Sequence, residues 1–167
     1  MENFQKVLES KTKIRFSDCD PFNHLNNSRY IDYFMYARED QLLLHYDFDL
    51  YKLARERGIG WVVAQNQIAY LNPALLMETV VIQTRLLAYG NKNITFEAVM
   101  WNEDKTLVKS VLWSDLIHYN LKTQRSEVHA EDLMNLFKEI ENPVNEVRSF
   151  GDRVASLRMN KKQSPVG

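Results

Sequence analysis

The chain has 167 residues, 45% of them apolar and 26% charged, and a formal net charge of -1. That is the balance of one globular domain with room for a continuous core; it excludes a disordered chain and gives no electrostatic reason for nucleic-acid binding. No apolar run approaches the roughly 20 residues that span a bilayer, and the polar start Met1-Glu2-Asn3-Phe4-Gln5-Lys6 lacks a signal-peptide core, so a cytoplasmic protein is expected.

Residues 11–16 alternate polar and apolar side chains and read as a strand. Residues 17–27 are rich in Asp, Asn, Ser and Pro and read as a loop, with Ser28 placed to cap a following helix. In that helix Tyr30, Ile31, Tyr33, Phe34, Met35, Tyr36 and Ala37 leave almost no polar face. A helix apolar all round is buried all round, so a sheet must wrap it. It turns polar at Arg38-Glu39-Asp40 and fades by His45-Tyr46; a shorter helix over residues 50–56 leads to Gly58-Ile59-Gly60.

Four β-rich runs follow, at residues 62–71, 79–89, 93–101 and 107–119. Asn72-Pro73, Gly90-Asn91-Lys92 and Asn102-Glu103-Asp104-Lys105 separate them with turn chemistry. Long strands joined by short turns predict an antiparallel meander. With the first strand this makes an α+β fold of five strands curved around one buried helix. Leu133, Leu136, Phe137 and Ile140 then lie at helical spacing, Pro143 interrupts, and Val147, Phe150, Val154 and Leu157 give a second stripe. Arg148, Arg153 and Arg158 beside that stripe raise a membrane-surface helix; packing on the domain or on a partner subunit is the commoner use. Residues 161–167 read as a frayed tail.

The chemistry concentrates in the loop. Asp18, Asp20, His24, Asn26 and Asn27 stand immediately before the buried helix. A helix start offers unpaired N–H groups and a partial positive charge, which suit an oxyanion. A carboxylate opposite it can act as base or nucleophile. A thiol has a pKa of about 8.5, so a thiolate leaves without much help from a general acid. Oxyanion donor plus carboxylate is therefore sufficient apparatus for breaking a thioester. Cys19, the only cysteine, excludes an intrachain disulfide and a cysteine-based zinc site, and its acidic neighbours make it a poor nucleophile.

Each of these residues also has a plainer reading. Asp-Pro is a common turn dipeptide, His24 can be a loop-fixing donor, and Asn26 and Asn27 can simply satisfy helix-start N–H groups. Tyr30, Tyr33, Phe34 and Tyr36 read as core. Lys92 and Arg85 are cations a phosphate could meet, though surface charges are usually only solvated.

Asp18-Cys19-Asp20, His24-Leu25-Asn26-Asn27, Tyr30, Ala37-Arg38 and, further on, Tyr70-Leu71-Asn72-Pro73-Ala74 resemble the hotdog-fold thioesterases of the 4-hydroxybenzoyl-CoA thioesterase type, over roughly residues 10–120. The resemblance implies a hotdog domain, taken over residues 1–125; the helical stripes beyond it make residues 126–167 an extension packing on the domain or a partner subunit. It implies homodimers that pair their sheets, with active sites at the interface; a homotetramer is open. By matching positions, Asp20 is catalytic base or nucleophile and the Asn27 N–H the oxyanion donor. His24 lines the site as a further catalytic candidate, with Asn26, Tyr30 and Asp18 as substrate-binding candidates. The substrate implied is an acyl-CoA or acyl carrier protein thioester, CoA entering only as part of it, with no cofactor and no metal. Asn23 and Met77-Glu78 depart from the pattern, standing where relatives have Gly and Gly-Asp. Two other functions compete. The Asp20-then-His24 order suggests an enoyl-thioester hydratase or dehydratase, although that pattern has an Asn-Pro which Asp20-Pro21-Phe22-Asn23-His24 lacks. A non-catalytic acyl-thioester binder is the other.

Overall fold

The computed structural model describes residues 4–159; the expected frayed tail at 161–167 lies outside the described residues, as do the first three residues of the polar start. In chain order the elements are β1 (Leu8–Lys13), α1 (Tyr30–Tyr46), α2 (Leu50–Arg57), β2 (Ile59–Tyr70), β3 (Thr79–Tyr89), β4 (Asn93–Asn102), β5 (Val108–Asn120), the two-residue β6 (Arg125–Ser126), α3 (Glu131–Ile140) and α4 (Phe150–Met159). The sheet is antiparallel in the order β1-β3-β4-β5-β2, with β6 beside β5. Five strands curved around one helix are the hotdog arrangement that the resemblance implies.

Two local expectations need correction. The meander covers β3-β4-β5 only. β2 pairs with β5, Ile68 opposite Leu112, because the chain crosses the end of the sheet at residues 71–78 instead of turning back. The first strand lies earlier than residues 11–16, and Phe16–Asp18 form a 3₁₀ turn.

Strand alternation divides the sheet between two cores. Phe96, Ala98 and Met100 of β4 and Leu112 of β5 face α1, where Tyr30, Tyr33, Phe34 and Ala37 meet them. Val99 and Val111, of opposite parity, meet Phe150, Val154 and Leu157 of α4 on the other face. Phe150, Val154 and Leu157 of the second stripe therefore pack on the sheet, the commoner use, rather than on a membrane surface. α3 packs through Leu133, Phe137 and Ile140 on Leu86 and Ile59, closing the α1 side of the sheet at its far end. No described helix is long and apolar enough to cross a membrane.

The burial of α1 is less complete than its composition implies. Tyr36 and Leu44 are 64% and 79% exposed, whereas Arg38 and Gln41 are buried. Gln41 donates to the Ile82 carbonyl at 3.0 Å and Arg38 donates to Thr84 Oγ1 at 3.0 Å. A single curved sheet covers one side of a helix, so polar residues on that side are buried with partners while apolar ones opposite stay open.

His129 is buried beside Trp61 and His118. Its Nδ1 faces the Gly90 carbonyl at 2.9 Å and its Nε2 accepts from Trp61 Nε1 at 3.1 Å, a pattern that suits the neutral ring. Burial pushes its pKa below 6.5, with nearby His118 adding to the fall. Below pH 6.5 the unfolded chain therefore binds the proton more readily, and stability held above that pH is lost as pH falls. The melting temperature is expected to drop between pH 7.5 and 5.5, and His129→Gln to flatten that step. Thermal melts at half-unit intervals check both.

Candidate active site

Asp20 sits at the mouth of a tight loop that its own side chain organises. Its Oδ1 accepts from the Phe22 N–H at 2.9 Å and the His24 N–H at 3.1 Å. Its backbone N–H donates to the His24 carbonyl at 2.8 Å, and its carbonyl accepts from Asn23 N–H at 3.1 Å. Asn23 takes φ of 60° at the turn, a left-handed geometry that Asn tolerates better than most residues and Gly better still. No described residue hydrogen-bonds to Oδ2, so one carboxylate oxygen is structural and the other is free.

The helix start differs from the expectation that Ser28 caps it. A 3₁₀ turn over Asn27–Arg29 precedes α1, and Asn26 is its cap, with Oδ1 accepting from the Ser28 N–H at 2.9 Å and the Ser28 hydroxyl at 2.8 Å. Asn and Ser both cap well; Asn26 takes the role because the turn begins two residues earlier than expected, where Asn26 N–H donates to the Asp18 carbonyl at 2.9 Å. The Asn27 N–H, next in the turn, has no acceptor among the described residues. Its carbonyl accepts from the Tyr70 hydroxyl at 2.9 Å.

The remaining candidates hold the loop. Asp18 Oδ2 accepts from the Tyr33 hydroxyl at 2.8 Å, and Arg29 lies 3.9 Å from Asp18 Oδ1. Burial first, and the Asp18 carboxylate after it, push the Tyr33 phenol up to about 12, so it stays a donor. Tyr30 is 2% exposed and its hydroxyl accepts from the Ala74 N–H at 3.2 Å, which leaves it no face toward solvent. His24 fixes the loop through its backbone. Its ring makes no hydrogen bond with a described residue and lies 6.4 Å from the Phe22 ring. Cys19 has a raised thiol pKa, with burial the leading cause and Asp20 and Asp18 behind it. Arg85 faces buried Glu97 at 3.5 Å, so it is not a free cation for a phosphate.

Sequence reading missed the crossing segment as the loop's floor. Leu25 N–H donates to Ala74 O at 2.8 Å and Leu76 N–H to Asn23 O at 2.9 Å. Glu78 accepts from the Leu75 N–H at 2.8 Å and pairs with buried Lys109 at 2.9 Å. Met77 has φ of 66°, which gives the family's Gly at this place a physical reason. Tyr70 and Ala74 were visible as motif letters; what they hold was not.

The sequence model of the thioesterase-like superfamily matches residues 14–146. The long-chain acyl-CoA thioesterase FadM of Escherichia coli (strain K12) is 26% identical over 119 residues, 71% of this chain and 88% of that protein. The probable thioesterase YbaW from Escherichia coli has a similar structure, with a TM-score of 0.69 at 24% identity over 81% of this chain and 99% of that one. The hypothetical protein SAV2348 from Staphylococcus aureus, solved in complex with CoA, has a TM-score of 0.74 at 13% identity over 98% and 96% of the two chains.

Proposed function

The chain belongs to the thioesterase-like superfamily and hydrolyses a thioester; from that premise we propose that its substrate is an acyl-CoA and that Asp20 and the Asn27 N–H carry the reaction. One observation supports this assignment above the rest: a carboxylate with one oxygen committed to its loop and the other without a partner among the described residues, in the same loop as a helix-start N–H that likewise finds no acceptor among them.

In this reading the thioester carbonyl oxygen lies on the Asn27 N–H, which stabilises the charge as the carbon becomes tetrahedral. The free Asp20 oxygen takes a proton from the attacking water, or attacks the carbon itself to give an anhydride that water opens. Collapse breaks the C–S bond on either route, on the second forming the anhydride; the thiolate takes the proton that water gave to Asp20 on the first route, or the one that water releases as it opens the anhydride on the second. Asp18, Asn26 and Tyr30 position the loop, and His24 lies beside it. The neighbour that binds CoA supports CoA as the carrier, and the FadM relative supports an acyl-CoA.

A homodimer completes the proposal. β2 is an outer strand whose Val62 and Val63 are 44% and 46% exposed. An unpaired edge of this kind invites another strand, and a second copy pairing there would continue the sheet.

A panel of acyl-CoAs of different chain length and aromatic character, assayed by release of free thiol, tests the reaction. Turnover of at least one member is expected. Tight binding across the panel without any thiol release would defeat the proposal in favour of a binding protein.

A further inference from the structure

Between the second half of α1 and the sheet lies a cavity of about 360 Å³, within the size range of small-molecule pockets, roughly 300–1,000 Å³. Met35 and Leu42 of α1, Trp61 and Val63 of β2 and Leu116 of β5 line its walls; Leu136, Phe137 and Ile140 of α3 line it too. Its walls are chiefly apolar. Arg38 is the buried exception, laying its guanidinium 5.6 Å from the Phe96 ring centre.

The Asp20 loop precedes α1, and the cavity lies farther along the same helix. β2 meets α1 near the loop through Tyr70 and Ile68, and farther along the cavity lies between Met35 and Leu42 of α1 and Trp61 and Val63 of β2, a groove on that side. At the loop end Tyr70 holds Asn27 and its ring lies 5.1 Å from Tyr30. Midway, Met35, Ile68 and Leu116 border the core, and Met35 and Leu116 also line the cavity. Away from the loop, α3 lines the space. From Tyr30 to Leu42 the helix advances about 18 Å, which an extended hydrocarbon covers in about fifteen bonds at roughly 1.2 Å each.

Resting on the thioesterase reading above, we propose that this cavity holds the distal part of a long, unbranched acyl chain, and that α3, through Leu136, is the stop that sets its maximum length. Chains much shorter than the groove leave apolar wall wet; chains longer than it meet α3. A methylene gained or lost in such a pocket changes specificity by about 10- to 200-fold. Leu136 suits the test because it lines the cavity and is only partly buried, so substitution there disturbs α3 less than at Phe137 or Ile140.

The experiment compares wild type, Leu136→Trp and Leu136→Ala on saturated acyl-CoAs of 6 to about 20 carbons, the upper lengths set by the groove estimate. The expected wild-type optimum is near 14 to 16 carbons by the same estimate. Leu136→Trp is expected to lower the ratio of kcat/KM for a 16-carbon over a 6-carbon chain at least tenfold. Leu136→Ala is expected to move the optimum to longer chains, which a misfolded variant would not do. Binding of cis-parinaric acid, a fluorescent 18-carbon fatty acid, reads the cavity without turnover and should weaken at least tenfold in Leu136→Trp. Parinarate binding with that loss, in a protein that hydrolyses no acyl-CoA, would defeat the thioesterase reading and keep the cavity. Length profiles and parinarate affinity unchanged in both variants would overturn the role given to α3.

Discussion

Replacing Asp20 with Asn is expected to lower kcat a hundredfold or more and to leave the loop in place. The geometry makes this substitution unusually clean. Asp20 Oδ1 accepts two backbone N–H groups, from Phe22 and His24, and an Asn carbonyl oxygen accepts the same two. What changes is the second oxygen, which becomes an NH₂ that can neither take a proton from water nor attack a carbonyl. A hundredfold is about 2.7 kcal/mol of transition-state stabilisation, within the range ordinarily supplied by a positioned base. The melting temperature should stay near that of wild type. Asp20→Ala removes the structural oxygen as well and should lose stability together with rate. If Asp20 only builds the turn, Asp20→Asn turns over like wild type while Asp20→Ala is impaired through its fold. Steady-state kinetics and thermal melts on the two variants separate these outcomes.

That pair of roles also explains how far the sequence could be read. The β-rich runs and their turn residues located β3, β4 and β5, and the apolar run located α1 but not its buried side, since Tyr36 is exposed and Arg38 is buried. The Asp20 loop was legible as a cluster of polar side chains before a helix. Its assembly was not, because the partners lie far along the chain: Ala74 holds Leu25, and Tyr70 holds Asn27. The placement of β2 beside β5 was hidden for a related reason. Period locates a strand but does not name its neighbour, and the turn residues Asn72-Pro73 serve a crossing as well as a hairpin. Leu136 reaches the cavity beside α1 only because α3 packs on Leu86 and Ile59, so no pattern within residues 131–140 could show it.

Glu97 is the clearest case of a residue without a sequence signal, and it carries the second large prediction. It stands in β4 between Phe96 and Ala98, which face α1, so it projects to the opposite side of the sheet and is 1% exposed there. A carboxylate so placed needs partners. Arg153 of α4 meets it with two parallel bonds of 2.8 Å, Trp113 Nε1 donates at 2.8 Å, and Arg85 lies at 3.5 Å. Removing one partner of a buried pair costs about 3–5 kcal/mol, because the charge left behind stays desolvated. Arg85 remains beside Glu97, so Arg153→Ala should fall at the low end, about 3 kcal/mol. In a chain of this size that is a drop of roughly 6–12 °C in melting temperature. Glu97→Gln keeps an acceptor for Trp113 and removes the charge. In the Glu97→Gln background, Arg153→Ala should therefore cost much less than it does alone, a coupling that melts on the two single variants and the double variant measure. Equal losses in both backgrounds would mean that Arg153 acts through its packing on the sheet and that Glu97 does not depend on it. The coupled result would make the arginine a fastener for α4, written into the stripe of Val147, Phe150, Val154 and Leu157 by a cation whose partner lies in a strand far upstream.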